Sequence, residues 1–162
     1  MKIMIVDDHH TYLAILHGII ARMESTDIRD FSDPYEALRA AAAEEFDLIL
    51  VDYMMPKMHG VEFIGRLRKI PNCEELPVIM ITADEGRETR LEALKAGATE
   101  FLKKPVEPLE LRVRTGNLLA LRRAQLKLRS QTAFLEKAVK EATKELEASE
   151  REVVTSVRRQ HS

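Results

Sequence analysis

Five polar residues stand at the ends of short apolar runs. Asp7 and Asp8 follow Lys2-Ile3-Met4-Ile5-Val6, and Asp52 follows Leu48-Ile49-Leu50-Val51. Thr82 follows Pro77-Val78-Ile79-Met80-Ile81, and Lys104 stands just past Glu100-Phe101-Leu102. If these runs are parallel strands, all five residues reach the same sheet edge. Three carboxylates there repel: at about 4 Å and an effective dielectric of about 20, each pair costs roughly 4 kcal/mol. One lysine does not offset three carboxylates. A hard divalent cation does, and Mg²⁺ takes one or two carboxylates together with waters and phosphate oxygens. Beside such a cation, Asp52 is placed as a nucleophile toward phosphorus, because carboxylates form acyl phosphates. Lys104 supplies a second positive charge for the transferring group, and the Thr82 hydroxyl can donate to one of its oxygens.

The elements that must carry these residues alternate along the chain. The run ending at Asp52 is apolar at every position, as expected of a strand buried on both faces in the middle of a parallel sheet. Lys2 to Val6 is a second strand. Leu13, Leu16, Ile20 and Met23 have helical spacing, so the segment from Thr11 to about Glu24 reads as an amphipathic helix. Asp27 to Phe31 is a weaker strand at or near an edge. Asp33 is a helix N-cap, with Pro34 in the first turn and Glu36 closing a box-like pair, and the helix runs to about Glu45. Pro56 to Gly60 is a loop, and Val61 to about Lys69 is a helix with Phe63, Ile64 and Leu67 as its stripe. Pro77 to Ile81 is a strand, Arg87 to Ala96 a helix ended by Gly97, and Glu100 to Leu102 a last strand. Five alternations predict an α/β fold with right-handed crossovers and helices on both faces of the sheet.

Composition narrows the setting. The chain has 162 residues, 45% of them hydrophobic, which supports one core-bearing domain with residues to spare. A net charge of −2 argues against a general nucleic-acid or membrane surface. A single cysteine, Cys73, cannot form an internal disulfide and suits a reducing cytoplasm. Asp7 and Asp8 end the first apolar run too early for a signal peptide, and no run approaches the roughly 20 apolar residues of a spanning helix. The expectation is a soluble cytoplasmic protein.

With these residues in place, the sequence resembles the receiver domain of two-component response regulators. The matching segments are Ile5-Val6-Asp7-Asp8, Leu50-Val51-Asp52-Tyr53-Met54-Met55-Pro56, Ile81-Thr82-Ala83 and Phe101-Leu102-Lys103-Lys104-Pro105, in order and at the family's spacing from Met1 to about Arg122. The resemblance implies a five-stranded parallel sheet of order 2-1-3-4-5, the flavodoxin-like, CheY-like arrangement. It implies that Asp52 takes a phosphoryl group from a sensor histidine kinase, and that Asp7, Asp8, Asp52 and the backbone carbonyl of Met54 hold Mg²⁺. It makes Lys104, not Lys103, the family lysine, and Thr82 and Phe101 the switch pair. The protein is then a phosphorelay module rather than an enzyme with its own substrate. Phe101 replaces the commoner tyrosine and keeps the ring. His59 replaces the usual Asp before Gly60, which weakens a helix start by about 1 kcal/mol.

Other chemistries fit less well. A hydrolase of the haloacid-dehalogenase type needs Asp-x-Asp around its nucleophile, and Met54 occupies the second position. An adaptor with an unused pocket remains a structural alternative. His9 and His10 suggest a transition-metal site, but the neighbouring oxygen ligands favour Mg²⁺ and adjacent positions are not expected to converge on one ion. Cys73 lies between Pro71 and two glutamates, a setting that raises a thiol pKa. Met54 and Asp84 each lie two residues beyond a strand end and should border the path of a water attacking the phosphoryl group.

Beyond Pro108 the chain contains no proline and becomes a long helix-forming stretch to about Arg159, broken in composition only by Gly116, a candidate bending point where the helix leaves the domain. Heptads with Leu118 at position a give Leu118, Gln125, Thr132, Val139, Leu146 and Val153, and position d gives Leu121, Leu128, Leu135, Ala142, Ser149 and Ser156. The expected division is a receiver at 1–122 and a coiled-coil segment at 123–162 that pairs as a parallel homodimer. No basic helix-turn-helix pattern or effector motif is present, so direct nucleic-acid binding is not expected. Glu136 to Val154 resembles the helix joining receivers to HD-GYP cyclic-di-GMP phosphodiesterases, and similar helices precede diguanylate cyclases. A receiver-plus-linker part of a larger effector is therefore the alternative reading.

Overall fold

The structure is a computed structural model that describes residues 1–84 and 86–161. Among the described residues five strands alternate with five helices: β1 Lys2–Val6, α1 His10–Ile20, β2 Asp27–Phe31, α2 Pro34–Ala43, β3 Leu48–Asp52, α3 Gly60–Leu67, β4 Val78–Thr82, α4 Arg87–Ala96, β5 Glu100–Lys103 and α5 Pro108–Gln160. All neighbouring strands pair in parallel, in the order β2-β1-β3-β4-β5. The expected sheet is therefore present.

Every residue of β3 and β4 is buried, while β2 is exposed or half-buried along its length. That difference follows from position. Side chains alternate between faces along a strand, so a central strand covered by helices on both sides must be apolar throughout. On one face, Ile49, Val51, Val78 and Met80 pack with Ala37 and Ala41 of α2, Phe63, Ile64 and Leu67 of α3, and Ala93 of α4. On the other, Leu48, Leu50, Ile79 and Ile81 pack with Leu13, Leu16 and Ile20 of α1 and Leu111, Leu118 and Leu119 of α5. Burying each Leu, Ile or Val side chain contributes about 1.5–3 kcal/mol, enough to hold a charged rim at the strand ends.

The helix ends follow local chemistry. Asp33 caps α2 by accepting from the Tyr35 amide, and Gly97 closes α4 with φ of 107°. Helix α1 stops at Ile20 rather than near Glu24. The Thr26 hydroxyl donates to the carbonyl of Met23 at 3.1 Å, and Ser25 adopts φ of 61°, so the chain turns instead of continuing the helix. Helix α2 stops at Ala43 because Glu44 is extended and pairs with Lys2 at 2.7 Å and Arg29 at 2.6 Å. Helix α3 closes at Leu67, short of Lys69, with a turn in which the amides of Lys69 and Ile70 reach Arg66 and Leu67.

The chain divides into two compact units, Met1–Arg122 and Arg123–Ser162. In the first unit, Arg122 is fully buried. Its guanidinium donates to Phe46 O at 3.1 Å, Glu45 Oε1 at 3.2 Å and Asp47 Oδ1 at 3.3 Å. Leu118 is only 5% exposed and belongs to the receiver core, so it is not a layer of an external seam. Gly116 also lies inside this unit and not at its end, which removes it as the exit point. In the second unit, residues 127–161 are all exposed. Among the described residues no helix is long and apolar enough to cross a membrane.

Candidate functional site

Parallel strands deliver their C-terminal ends to one edge of a sheet, and that edge is where open α/β sheets bind ligands. Register places Asp52 opposite Ile81 and Thr82 opposite Lys103. Asp7 is fully buried just past β1, its amide bonded to Phe31 O at 3.1 Å. Asp52 is 4% exposed at the end of β3. Lys104 follows β5, and its amide bonds to Thr82 O at 2.7 Å, tying the ends of β4 and β5 together.

The Lys104 ammonium bridges the carboxylates. It lies 3.0 Å from Asp52 Oδ1 and 3.4 Å from Asp7 Oδ2. It also stands 4.1 Å above the ring centroid of Tyr12, a cation–π position. The Tyr12 hydroxyl accepts from the Val106 amide at 3.0 Å, so this one side chain braces both the lysine and the turn that carries it. Tyr12 escapes a motif reading because nothing in its spacing separates it from an ordinary residue of an amphipathic helix.

Asp52 ionises less readily than an ordinary aspartate. Burial is the main cause and the charge of Asp7 adds to it. The bond to Lys104 works the other way without overcoming them. For Lys104, burial opposes the ammonium charge, but its bond to Asp52 and the fields of Asp52 and Asp7 prevail and hold its pKa above the ordinary value. An isolated ion pair lowers its acid's pKa. Here the acid's is raised, because burial first and the Asp7 carboxylate second outweigh the lysine.

Asp7, Asp8, His9 and Asp52 each offer one ligand atom, and these atoms all lie within 4.8 Å of one another. Asp8 Oδ1 is buried without a hydrogen-bond donor. An oxygen-rich donor set with an orphaned carboxylate oxygen fits a hard divalent cation such as Mg²⁺. His9 stands in this group. Its imidazole faces the cluster, with Nδ1 3.4 Å from Asp8 Oδ1 and 3.7 Å from Asp7 Oδ1; His10 is not part of the group.

The remaining sequence candidates lie outside this cluster. Thr82 is 1% exposed, and its hydroxyl oxygen accepts from the Asp84 amide at 3.0 Å, leaving its proton for another acceptor. Phe101 is half-buried against the core, with the Arg90 guanidinium 5.5 Å from its ring centroid. Met54 is 58% exposed at the rim. Asp84 accepts from the Thr89 hydroxyl at 2.6 Å and the Gly86 amide at 2.7 Å, and these bonds hold its carboxyl below the usual range. His59 makes no side-chain cap at the start of α3, as its replacement of Asp suggests. Gly60 is required there for another reason: a Cβ on it would stand 2.7 Å from Asp52 O. Cys73 is buried, and burial first, then Glu74, pushes its thiol up, as expected of a thiol with no catalytic task.

Comparisons with known proteins agree with this geometry. The family described as response regulator receiver domain matches residues 3–115. Over 160 residues, 98% of this chain, the sequence is 38% identical to the cyclic di-GMP phosphodiesterase response regulator RpfG of Xanthomonas campestris, of which the match covers 42%. It is 34% identical over 117 residues, 72% of this chain, to the response regulator PleD of Caulobacter vibrioides, of which 26% is covered. The chain thus spans less than half the length of these two relatives. A CheY-like response regulator receiver domain protein from Methanospirillum hungatei superposes with a TM-score of 0.70 at 27% identity, covering 76% of this chain and 97% of that one. Receiver domains take phosphoryl groups from histidine kinases, and by sequence, topology and the polar residues at its strand ends this chain belongs to the response regulator receiver family of two-component signalling.

Proposed function

We propose that Asp52 is the phosphoacceptor, that Asp7, Asp8, Asp52 and the Met54 carbonyl hold Mg²⁺, that Lys104 and Thr82 assist the transfer, and that Thr82 and Phe101 form the switch pair. The observation that carries this reading is Lys104 Nζ at 3.0 Å from Asp52 Oδ1 beside two further carboxylates. An Asp52 carboxylate oxygen attacks phosphorus and forms the P–O bond of an acyl phosphate. The P–N bond of the donor phosphohistidine breaks, its electron pair stays on the imidazole, and solvent supplies a proton. Bound Mg²⁺ supplies charge neutralisation for the phosphoryl oxygens. Lys104 adds a fixed cation, and Thr82, whose oxygen accepts from the Asp84 amide, can donate its hydroxyl proton to a phosphoryl oxygen. Treatment with acetyl phosphate and Mg²⁺ should add one phosphoryl mass at Asp52. Labelling elsewhere, or none, would overturn the assignment.

The similarity to RpfG continues through α5. This favours a receiver at residues 1–122 with a signalling helix at 123–162 that serves a larger effector of the cyclic-di-GMP phosphodiesterase kind; the likeness of the helix to those preceding diguanylate cyclases makes such an effector the other candidate. Leu128, Leu135, Val139, Leu146 and Val153 are each 60–64% exposed on that helix. A second copy of the chain, paired in parallel, covers them. The free, buried Cys73 suits a reducing cytoplasm.

A further inference from the structure

His9 is the side chain at the metal cluster that its proposed function leaves unused. Its main chain is fixed on both sides: the amide donates to Asp7 Oδ1 at 2.9 Å, and the carbonyl accepts from the Leu13 amide at 2.9 Å at the start of α1. Its imidazole makes no helix cap and is 71% exposed, with Nδ1 turned toward the carboxylates. The distances from Asp7 and Asp8 suit joint ligation. Ligands on one cation with bonds of about 2.1 Å stand about 3 Å apart when adjacent and about 4.2 Å apart when opposite. The 3.4 Å and 3.7 Å separations of Nδ1 from Asp8 and Asp7 oxygens lie between these limits.

A nitrogen ligand changes which cations the site prefers. Mg²⁺ favours oxygen and gains little from imidazole, whereas Co²⁺, Ni²⁺ and Zn²⁺ gain strongly. The orphaned Asp8 Oδ1 lies on the same side as the ring, so an ion held by both meets an unsatisfied carboxylate oxygen and an exposed imidazole nitrogen together. We infer that His9 is a metal-selecting residue, a direct ligand that shifts this receiver's cation site toward nitrogen-accepting first-row transition metals. The inference rests on the proposed acidic metal site.

The test is titration of the whole chain with Co²⁺ and Mg²⁺ separately, followed calorimetrically, for the unaltered protein, His9→Ala and Asp8→Ala. The ratio of Co²⁺ to Mg²⁺ affinity should fall at least tenfold in His9→Ala. Electron spin-echo spectroscopy of the Mn²⁺-loaded protein should show imidazole ¹⁴N coupling, lost in His9→Ala and in Asp8→Ala. An unchanged ratio together with no nitrogen coupling overturns the role of His9. Nitrogen coupling that survives in both variants places the ion on another histidine and also overturns it. If Asp8→Ala leaves both affinities unchanged, the acidic site itself is wrong, an outcome distinct from failure of the His9 assignment.

Discussion

Lys104 Nζ stands 3.0 Å from Asp52 Oδ1, yet the Asp52 carboxyl holds its proton more tightly than an ordinary aspartate. Burial and the Asp7 charge outweigh the lysine. A cation beside Asp52 offsets the field of Asp7 and favours the ionised, nucleophilic carboxylate.

A pH dependence follows. The folded Asp52 pKa lies above the unfolded value, near 3.8, so ionising it penalises the folded state. The penalty is absent below the unfolded pKa, grows as pH rises through the folded one and is complete above that. Asp52→Asn removes the charge and keeps the shape. Its metal-free Tm should exceed that of the unaltered protein at pH 7, and the gap should close toward pH 4. Mg²⁺ should raise the Tm of the unaltered protein more than that of the variant. Thermal melts at several pH values with and without Mg²⁺ check this, and a lower Tm for the variant at pH 7 contradicts it.

Asp8→Ala should weaken Mg²⁺ at least tenfold, about 1.4 kcal/mol, with little loss of fold. The substitution removes a ligand and, with it, a source of repulsion. Calorimetry paired with a urea melt separates the two effects.

Met54→Asn should change the decay of the phosphorylated protein several-fold, on the order of 1 kcal/mol in barrier. Met54 is exposed at the rim and cannot orient water, while an amide can. Decay curves after removal of phosphodonor measure it, and identical curves dismiss the idea.

Gly60→Ala should destabilise the fold by about 1–3 kcal/mol, the usual cost of overpacking. The new methyl would meet Asp52 O at 2.7 Å and Tyr53 Cα at 3.1 Å, and both are backbone atoms that cannot swing aside. Because the strain falls on the residue that carries the acceptor, phosphorylation by acetyl phosphate should slow as well. Urea unfolding and a phosphorylation time course provide the measurements.

Leu128→Lys with Leu135→Lys should convert a dimer of the full chain into a monomer at micromolar concentration. Both leucines are exposed in the single chain, so the substitutions add charge without disturbing the receiver core. Light scattering decides it. A monomer before the substitutions, phosphorylated or not, removes pairing through the helix from the function.

Short runs apolar at every position, each ended by a polar residue, determined the parallel sheet, the strand order by family likeness and the identity of Asp7, Asp8, Asp52, Thr82 and Lys104 as residues that meet. Those features are local or set by topology, so they are written along the chain. What the tertiary structure alone decided involves side chains brought together by packing. Tyr12 reaches Lys104 and Val106 across more than ninety positions, Arg122 reaches Asp47 and Glu45, and His9 turns toward carboxylates it was not expected to join. The heptad pattern likewise could not say where the seam begins. Leu118 has the same spacing as Leu146, but only the first lies against the sheet, where the core claims it before any partner can. Periodicity records which face of a helix is apolar; only the packed fold decides which surface covers that face.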